Sequence, residues 1–368
     1  MIRLAIYAAA TSVLLSACGG GGGSTADAAD STSTKVSATV AVSTPESAPS
    51  PTPAPAPVTA PRALENDTNT LLAAMKCSSD FGPSSGRAVL LVPGATQTVE
   101  SNFSWSYIPA LEKAGIPWCA VDLPNKHTAE LQNSSEFVTF AIRKMFETTK
   151  TKIAVVGFSQ GGVLPRWSLK YFPDTRDMVE DYIGIAAAHH GLIETNLLCA
   201  TPVLGCITSF TQISIGSKWI DTLNAGGETF KGIDYTQVYT RTDDVAIPNF
   251  DEKTGVSSLR TGEGTISNVA TQDVCLLNAA DHFTVGSFDP VGYAIVLDAL
   301  RHPGPASKAR VKAQGLGLCT QVASPGIELT SLPLNFASKM MFTFATSVTL
   351  QPKSTKEPEL KCYATGGC

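Results

Sequence analysis

Lys152-Ile153-Ala154-Val155-Val156-Gly157-Phe158-Ser159-Gln160-Gly161-Gly162 is the stretch that decides the fold. Lys152 to Gly157 is a short apolar run, and it predicts a strand buried on both faces. Gly161 to Phe172 reads as an amphipathic helix. A Gly-x-Ser-x-Gly pentapeptide is common by itself. Set between a buried strand and a helix, it has the layout of a nucleophile elbow, which carries a serine on a strained turn at the head of a sheet. The flanking glycines leave room for that turn. Ser159 then sits at a helix N-terminus, where free N–H groups and the helix dipole favour a developing negative charge.

Outward from this stretch the pattern repeats. Ala88 to Val92 is a second apolar run, closed by Pro93-Gly94, and Trp118 to Asp122 a third. Ser135 to Thr149 carries Phe137, Phe140, Ala141, Met145 and Phe146 near helical spacing. Tyr182 to Ala187 and Tyr235 to Tyr239 are further strand candidates, and about Pro290 to Leu300 a further helix. Strands that alternate with helices predict an α/β fold, a mostly parallel sheet with helices on both faces.

A serine hydroxyl needs a base, and the base needs an acid to orient it. In this fold class the order along the chain is serine, acid, histidine. There are five histidines. His127 precedes the serine and reads as a loop residue, and His302 lies before Pro303 on the surface. His189 and His190 follow the strand after the elbow helix, at the rim of a pocket. His282, late in the chain in Ala280-Asp281-His282-Phe283-Thr284, is the expected base. For the acid, Asp243 and Asp244 stand side by side after a strand candidate, and the residues alone do not choose between them. One of them, expected to be Asp244, serves only to cap a turn.

The composition fits an enzyme. The 368 residues carry a net charge of -5, 16% charged residues and 43% hydrophobic ones. Mild acidity without a Lys/Arg cluster argues against a nucleic-acid partner. At the N-terminus, Arg3, the apolar stretch Leu4 to Leu15, and Leu15-Ser16-Ala17-Cys18 follow the plan of an export signal, residues 1–17. The last four residues resemble the bacterial lipobox, which makes Cys18 the acylated first residue of the mature chain. Gly19 after that cysteine points to an outer-membrane destination. Residues 18–70 are rich in Gly, Ala, Ser, Thr and Pro and read as a linker holding a catalytic domain, residues 71–368, off a membrane. As a flexible coil, about forty such residues span roughly 35 Å. Of nine cysteines, removing Cys18 leaves an even eight for disulfides in an oxidising compartment. No Cys-x-x-Cys or Cys/His cluster suggests a metal, and no organic cofactor is expected.

With these motifs the chain resembles the family of Candida antarctica lipase B, within the α/β-hydrolase superfamily, over about Met75 to Cys368. Leu91-Val92-Pro93-Gly94 looks like the family's oxyanion strand and loop, and Ser159-Gln160-Gly161-Gly162 like its elbow, with Phe172-Pro173 ending the next helix. Tyr239 to Asp243, and Asp281-His282, look like its acid and base segments, which selects Asp243. The resemblance implies a lid-like segment near 189–225 and backbone oxyanion donors at Ala95 and Gln160. It also implies disulfides Cys77–Cys119, Cys275–Cys319 and Cys362–Cys368. Cys199 and Cys206 are additional, lie together in the lid-like segment, and are paired with each other. Three departures stand out. Ala95 replaces a threonine whose hydroxyl donates to the oxyanion, leaving Thr96 as a substitute. Phe158 replaces a tryptophan beneath the pocket. Ala188 stands near the family's acidic pocket residue, with His189 following, which implies a less acidic floor. Pro333 to Leu350 is implied as a helix walling the mouth, with Met340, Met341, Phe342 and Phe344 facing either lipid or the core.

The expected activity is hydrolysis of lipid-like carboxylic esters through an acyl-enzyme by a monomer, at an interface, with Cys18 as membrane anchor. Polyester depolymerisation or acyl transfer by the same residues, and a non-catalytic surface-binding lipoprotein, are the alternatives.

Overall fold

A computed structural model of the chain describes residues 61–200 and 206–368. The expected export signal, the expected lipid site at Cys18 and the expected linker up to residue 60 lie outside the described residues. The packed chain begins earlier than Leu71, the start expected from composition. The Arg62 guanidinium covers the Tyr363 ring, and the backbone N–H groups of Glu65 and Asn66 donate to the Glu136 carboxylate at 2.7 and 2.9 Å. A buried acceptor thus recruits polar residues that composition assigns to a linker.

The strands are β1 (Met75–Cys77), β2 (Val89–Val92), β3 (Trp118–Val121), β4 (Ile153–Phe158), β5 (Val179–Ile185), β6 (Cys206–Ile207), β7 (Asp234–Tyr239), β8 (Thr265–Ala270) and β9 (Lys353–Ser354). Seven of them form one sheet in the order β1-β3-β2-β4-β5-β7-β8, and β6 pairs with β9 apart from it. Only β1 runs antiparallel in the large sheet. Every residue of β2, β3 and β4 is buried, as the uninterrupted apolar runs require when helices cover both faces.

Alternate residues of each strand point to opposite faces. On one face Leu90, Val92, Ile153 and Val155 pack with Phe137, Val138 and Met145 of the helix Leu131–Thr149, and with Val163, Leu164 and Trp167 of the elbow helix Gln160–Tyr171. On the other, Val89, Leu91, Ala154 and Val156 meet Ile295, Val296 and Ala299 of the helix Pro290–Arg301. The first of these helices begins at Leu131, four residues before the expected Ser135. Glu130 provides the reason, since its carboxylate accepts from the N–H groups of Gln132 and Asn133 and caps the extra turn.

The chain leaves β2 for β3 on one side and then returns to β4 on the other. The C-terminal ends of β2 and β4 therefore flank a topological switch point, where open α/β sheets leave a crevice. Pro93-Gly94-Ala95 and Ser159 emerge there. Four disulfides pin the surrounding chain: Cys77–Cys119, Cys199–Cys206, Cys275–Cys319 and Cys362–Cys368. These are the pairs that the resemblance and the closeness of Cys199 to Cys206 implied.

Candidate active site

Ser159 follows the last residue of β4 and precedes the first of the elbow helix, with φ 53° and ψ -123°. A non-glycine residue in that region is strained, and the surroundings hold it there. Gly161 lies so close to the carbonyl groups of Val92 and Pro93 that a Cβ there would collide with them. The turn can fold this tightly against the end of β2 only with glycine at that position.

His282 opens a short helix, His282–Val285, capped by the Asp281 carboxylate on the Thr284 N–H at 2.8 Å. Its ring spans the site. Nε2 lies 3.0 Å from Ser159 Oγ, and Nδ1 lies 3.0 and 3.1 Å from the two carboxylate oxygens of Asp243. The Asp243 side chain has no exposed surface, and its Oδ1 also accepts from the N–H groups of Val245 and Ala246 at 2.9 and 2.6 Å. A carboxylate at Nδ1 fixes the proton on that nitrogen and leaves Nε2 free to accept from the serine. Burial alone would push the imidazole pKa down. The charge and hydrogen bond of Asp243, helped by Asp244 and Asp281, reverse this and carry it above the ordinary 6.5. The turn cap expected of Asp244 falls instead to Asp243, through its bonds to Val245 and Ala246; Asp244 Oδ1 accepts from the His282 N–H at 3.3 Å, 38 residues along the chain.

Among the described residues, no hydrogen-bond acceptor takes the backbone N–H of Ala95 or of Gln160. The Gln160 side chain is turned away, its Nε2 donating to the His127 carbonyl at 2.8 Å. Thr96 does not stand in for the missing threonine hydroxyl. It is buried, with φ 65°, and its hydroxyl donates back to the Ala95 carbonyl. The left-handed backbone folds the side chain onto its own loop.

Phe158 is buried beneath the site with its ring centroid 5.0 Å from that of His282. Ala188 belongs to the buried core on the elbow-helix side. His189 is not at the rim. It is fully buried, with Nε2 2.7 Å from Gln237 Oε1 and Nδ1 3.4 Å from the Arg166 guanidinium. Arg166 is a donor, so Nδ1 accepts and Nε2–H donates to Gln237. Two polar partners beneath the sheet ends draw the ring inward, and burial with the Arg166 charge holds its pKa well below the usual value. His190 is part-exposed and faces Glu228 and Arg260.

The lid-like segment contains the helix Ile193–Cys199, with Ile193 and Leu197 exposed. Glu194 in this helix brings a carboxyl group within electrostatic reach of the site. Burial, reinforced by the charge of Asp243, pushes its pKa up, and its Oε2 is buried without a hydrogen-bond partner. The wall runs as a π-helical turn, Phe336–Met341, into the helix Phe342–Leu350. Met340 is buried, Met341 half-buried, Phe344 packs its ring on Phe283 at 5.2 Å, and Phe342 faces outward. Most of this apolar set therefore packs inward, with positions 340 and 344 one turn apart on the inner face.

His127, expected in a loop, and Glu194, which no sequence motif singles out, both lie close to the site. His127 lies in a left-handed turn, φ 58°, with Nδ1 donating to the Pro93 carbonyl at 2.9 Å. Burial pushes its pKa down to about 4. Glu194 has a local signal, as the lone acid of the short helix Ile193–Cys199.

No protein-family profile matches the chain. It is 28% identical over 307 residues to lipase B of Pseudozyma antarctica, spanning 82% of this chain and 86% of that one. The crystal structure of Aspergillus fumigatus lipase B aligns with a TM-score of 0.74 and 25% identity, covering 83% of this chain and 74% of that chain. The sheet order, the strand-to-helix turn at Ser159 and these similarities together give the chain the α/β-hydrolase fold.

Proposed function

We propose that the protein is a serine carboxylic ester hydrolase of the lipase and esterase type, acting on lipid-like esters through an acyl-enzyme. The observation that carries this reading is the unbroken chain Ser159 Oγ, His282 and Asp243, with contacts of 3.0 to 3.1 Å. The two similar lipases support the ester-hydrolase class.

In this reading Ser159 Oγ attacks the ester carbonyl carbon as its proton passes to His282 Nε2. Asp243 holds the Nδ1–H and stabilises the imidazolium. The carbonyl oxygen becomes an oxyanion, held by the free N–H groups of Ala95 and Gln160 at the positive end of the elbow helix. The bond to the alcohol oxygen then breaks, and Nε2–H protonates the leaving alcohol. Water repeats the sequence on the acyl-Ser159 ester, with Nε2 taking its proton, and releases the acid. The N-terminal sequence supports export and lipidation at Cys18, and in this reading the enzyme works as a monomer tethered to the bacterial outer membrane.

The test is hydrolysis of p-nitrophenyl butyrate by the wild type and by Ser159→Ala. Loss of turnover with the circular dichroism spectrum unchanged supports the proposal, and undiminished activity in the variant sinks it. A chain-length series of p-nitrophenyl esters, with and without an oil interface, then separates lipase from esterase action.

A further inference from the structure

The oxyanion donor Ala95 and the base His282 stand on segments far apart in sequence, and catalysis needs them fixed relative to each other. A misplacement of about 1 Å between such groups costs on the order of a hundredfold in rate. One buried side chain bridges the two segments. Asn102 Oδ1 accepts from the Gly94 N–H at 3.1 Å, and Asn102 Nδ2 donates to the Gly286 carbonyl at 3.2 Å, 184 residues along the chain. Gly94 directly precedes Ala95. Gly286 ends the short helix that His282 begins, and its N–H donates to the His282 carbonyl at 3.2 Å. We propose that Asn102 is a positioning residue that ties the oxyanion loop to the turn carrying the base, an inference that rests on the hydrolase reading above.

The mounting of Asn102 suits that role. It is the last residue of the helix Val99–Asn102 and is completely buried. Thr98 and Ser101 cap the start of this helix reciprocally, and the Val99 N–H donates to the Asp122 carboxylate at 2.7 Å, just past β3. The tie is thereby anchored to the sheet. Its surroundings are apolar. The Phe158 ring lies against both Gly94 and Gly286, and a Cβ on either glycine would run into it. Elbow, oxyanion loop and histidine turn therefore meet around one aromatic ring, with Asn102 as a polar link between the last two. An amide can accept from an N–H through its oxygen while it donates to a carbonyl through its nitrogen. An apolar residue there would leave two backbone groups without this partner.

The experiment compares wild type, Asn102→Ala and Asn102→Asp for kcat and KM on p-nitrophenyl butyrate, for inhibition by butane-1-boronic acid, and for thermal melting. The boronate forms a tetrahedral adduct with the serine and reports on the oxyanion donors directly. Asn102→Ala is expected to lose about 10- to 100-fold in kcat, with KM within about twofold, and to weaken boronate binding by a similar factor. Asn102→Asp keeps an acceptor for Gly94 but sets a carboxylate against the Gly286 carbonyl and near His282. It is expected to lose kcat and to move the acid limb of kcat/KM to higher pH. If the alanine variant does not fold, the aspartate variant decides. An active wild type whose folded variants keep kcat, boronate affinity and the acid limb overturns the tie alone. A folded wild type that neither hydrolyses the ester nor binds the boronate overturns the hydrolase reading with it.

Discussion

Replacing Asp243 with asparagine changes one atom and should remove nearly all activity. Asp243 Oδ1 accepts from Val245 and Ala246 at 2.9 and 2.6 Å, and both carboxylate oxygens face His282 Nδ1, Oδ1 at 3.0 Å and Oδ2 at 3.1 Å. In Asp243→Asn the two backbone donors claim the remaining carbonyl oxygen, so the NH2 group takes the place of Oδ2. That group only donates. The carbonyl oxygen already holds two N–H groups and draws weakly on a third, so Nδ1 accepts from the NH2 group, the ring proton moves to Nε2, and Nε2 presents a hydrogen to Ser159 Oγ at 3.0 Å. A base with its proton already on the working nitrogen cannot take the serine proton. The loss expected of such a tautomer trap is about 10⁴-fold in kcat, or about 5 kcal/mol of transition-state stabilisation. The assay is steady-state hydrolysis of p-nitrophenyl butyrate, with circular dichroism to establish that the fold survives. A loss of less than about tenfold would refute the assignment of Asp243 as the group that orients the base.

Four further outcomes are expected. The acid limb of kcat/KM should lie above pH 6.5, because the base works only when neutral and its neighbours raise its pKa above that value. Asp244→Asn removes one of those negative charges and should move the limb to lower pH; a limb below pH 6.5, or an upward shift, contradicts the electrostatics. Ala95→Thr restores a hydroxyl at a half-buried position, since the Thr96 hydroxyl is committed to the Ala95 carbonyl. It should raise kcat by about tenfold or more, up to the 10²–10³ that one oxyanion donor can supply, and an unchanged kcat on the same ester would mean that a side-chain donor is not what the site lacks. Trp167 is fully buried on the elbow helix, stacked on Trp219 at 4.8 Å, with its N–H donating to the Tyr363 hydroxyl at 3.2 Å. Trp167→Ala should cost about 3–5 kcal/mol by denaturant unfolding, and a cost under about 1 kcal/mol would show that the stack is not part of the stabilising core.

The features legible in the sequence are those with a local cause. The strand, turn and helix around Ser159 follow from one apolar run, two glycines and an amphipathic repeat within twenty residues. Asp243 and His282 could be ranked because the fold class fixes their order, although the choice over Asp244 needed the resemblance. Where reading failed, the deciding partner was remote. His189 was placed at a rim because nothing near it announces Arg166 and Gln237, which draw it inward. His127 looked like a loop residue, and only the fold sets it against the Pro93 carbonyl. Asn102 gives no local signal at all, since its two partners lie 8 and 184 residues away. Glu194 is the one miss with a readable trace, the lone acid of its short helix.

The central claim is that Ser159 is the nucleophile and carries the acyl group. Its most direct test is to treat the folded protein with a fluorophosphonate, digest it, and map the adduct by mass spectrometry alongside the loss of ester hydrolysis. The account predicts one adduct per chain, on the peptide containing Ser159, with activity lost in proportion and no labelling of Ser159→Ala. Continued hydrolysis by fully labelled protein, or inactivation with the adduct on another residue, would contradict it.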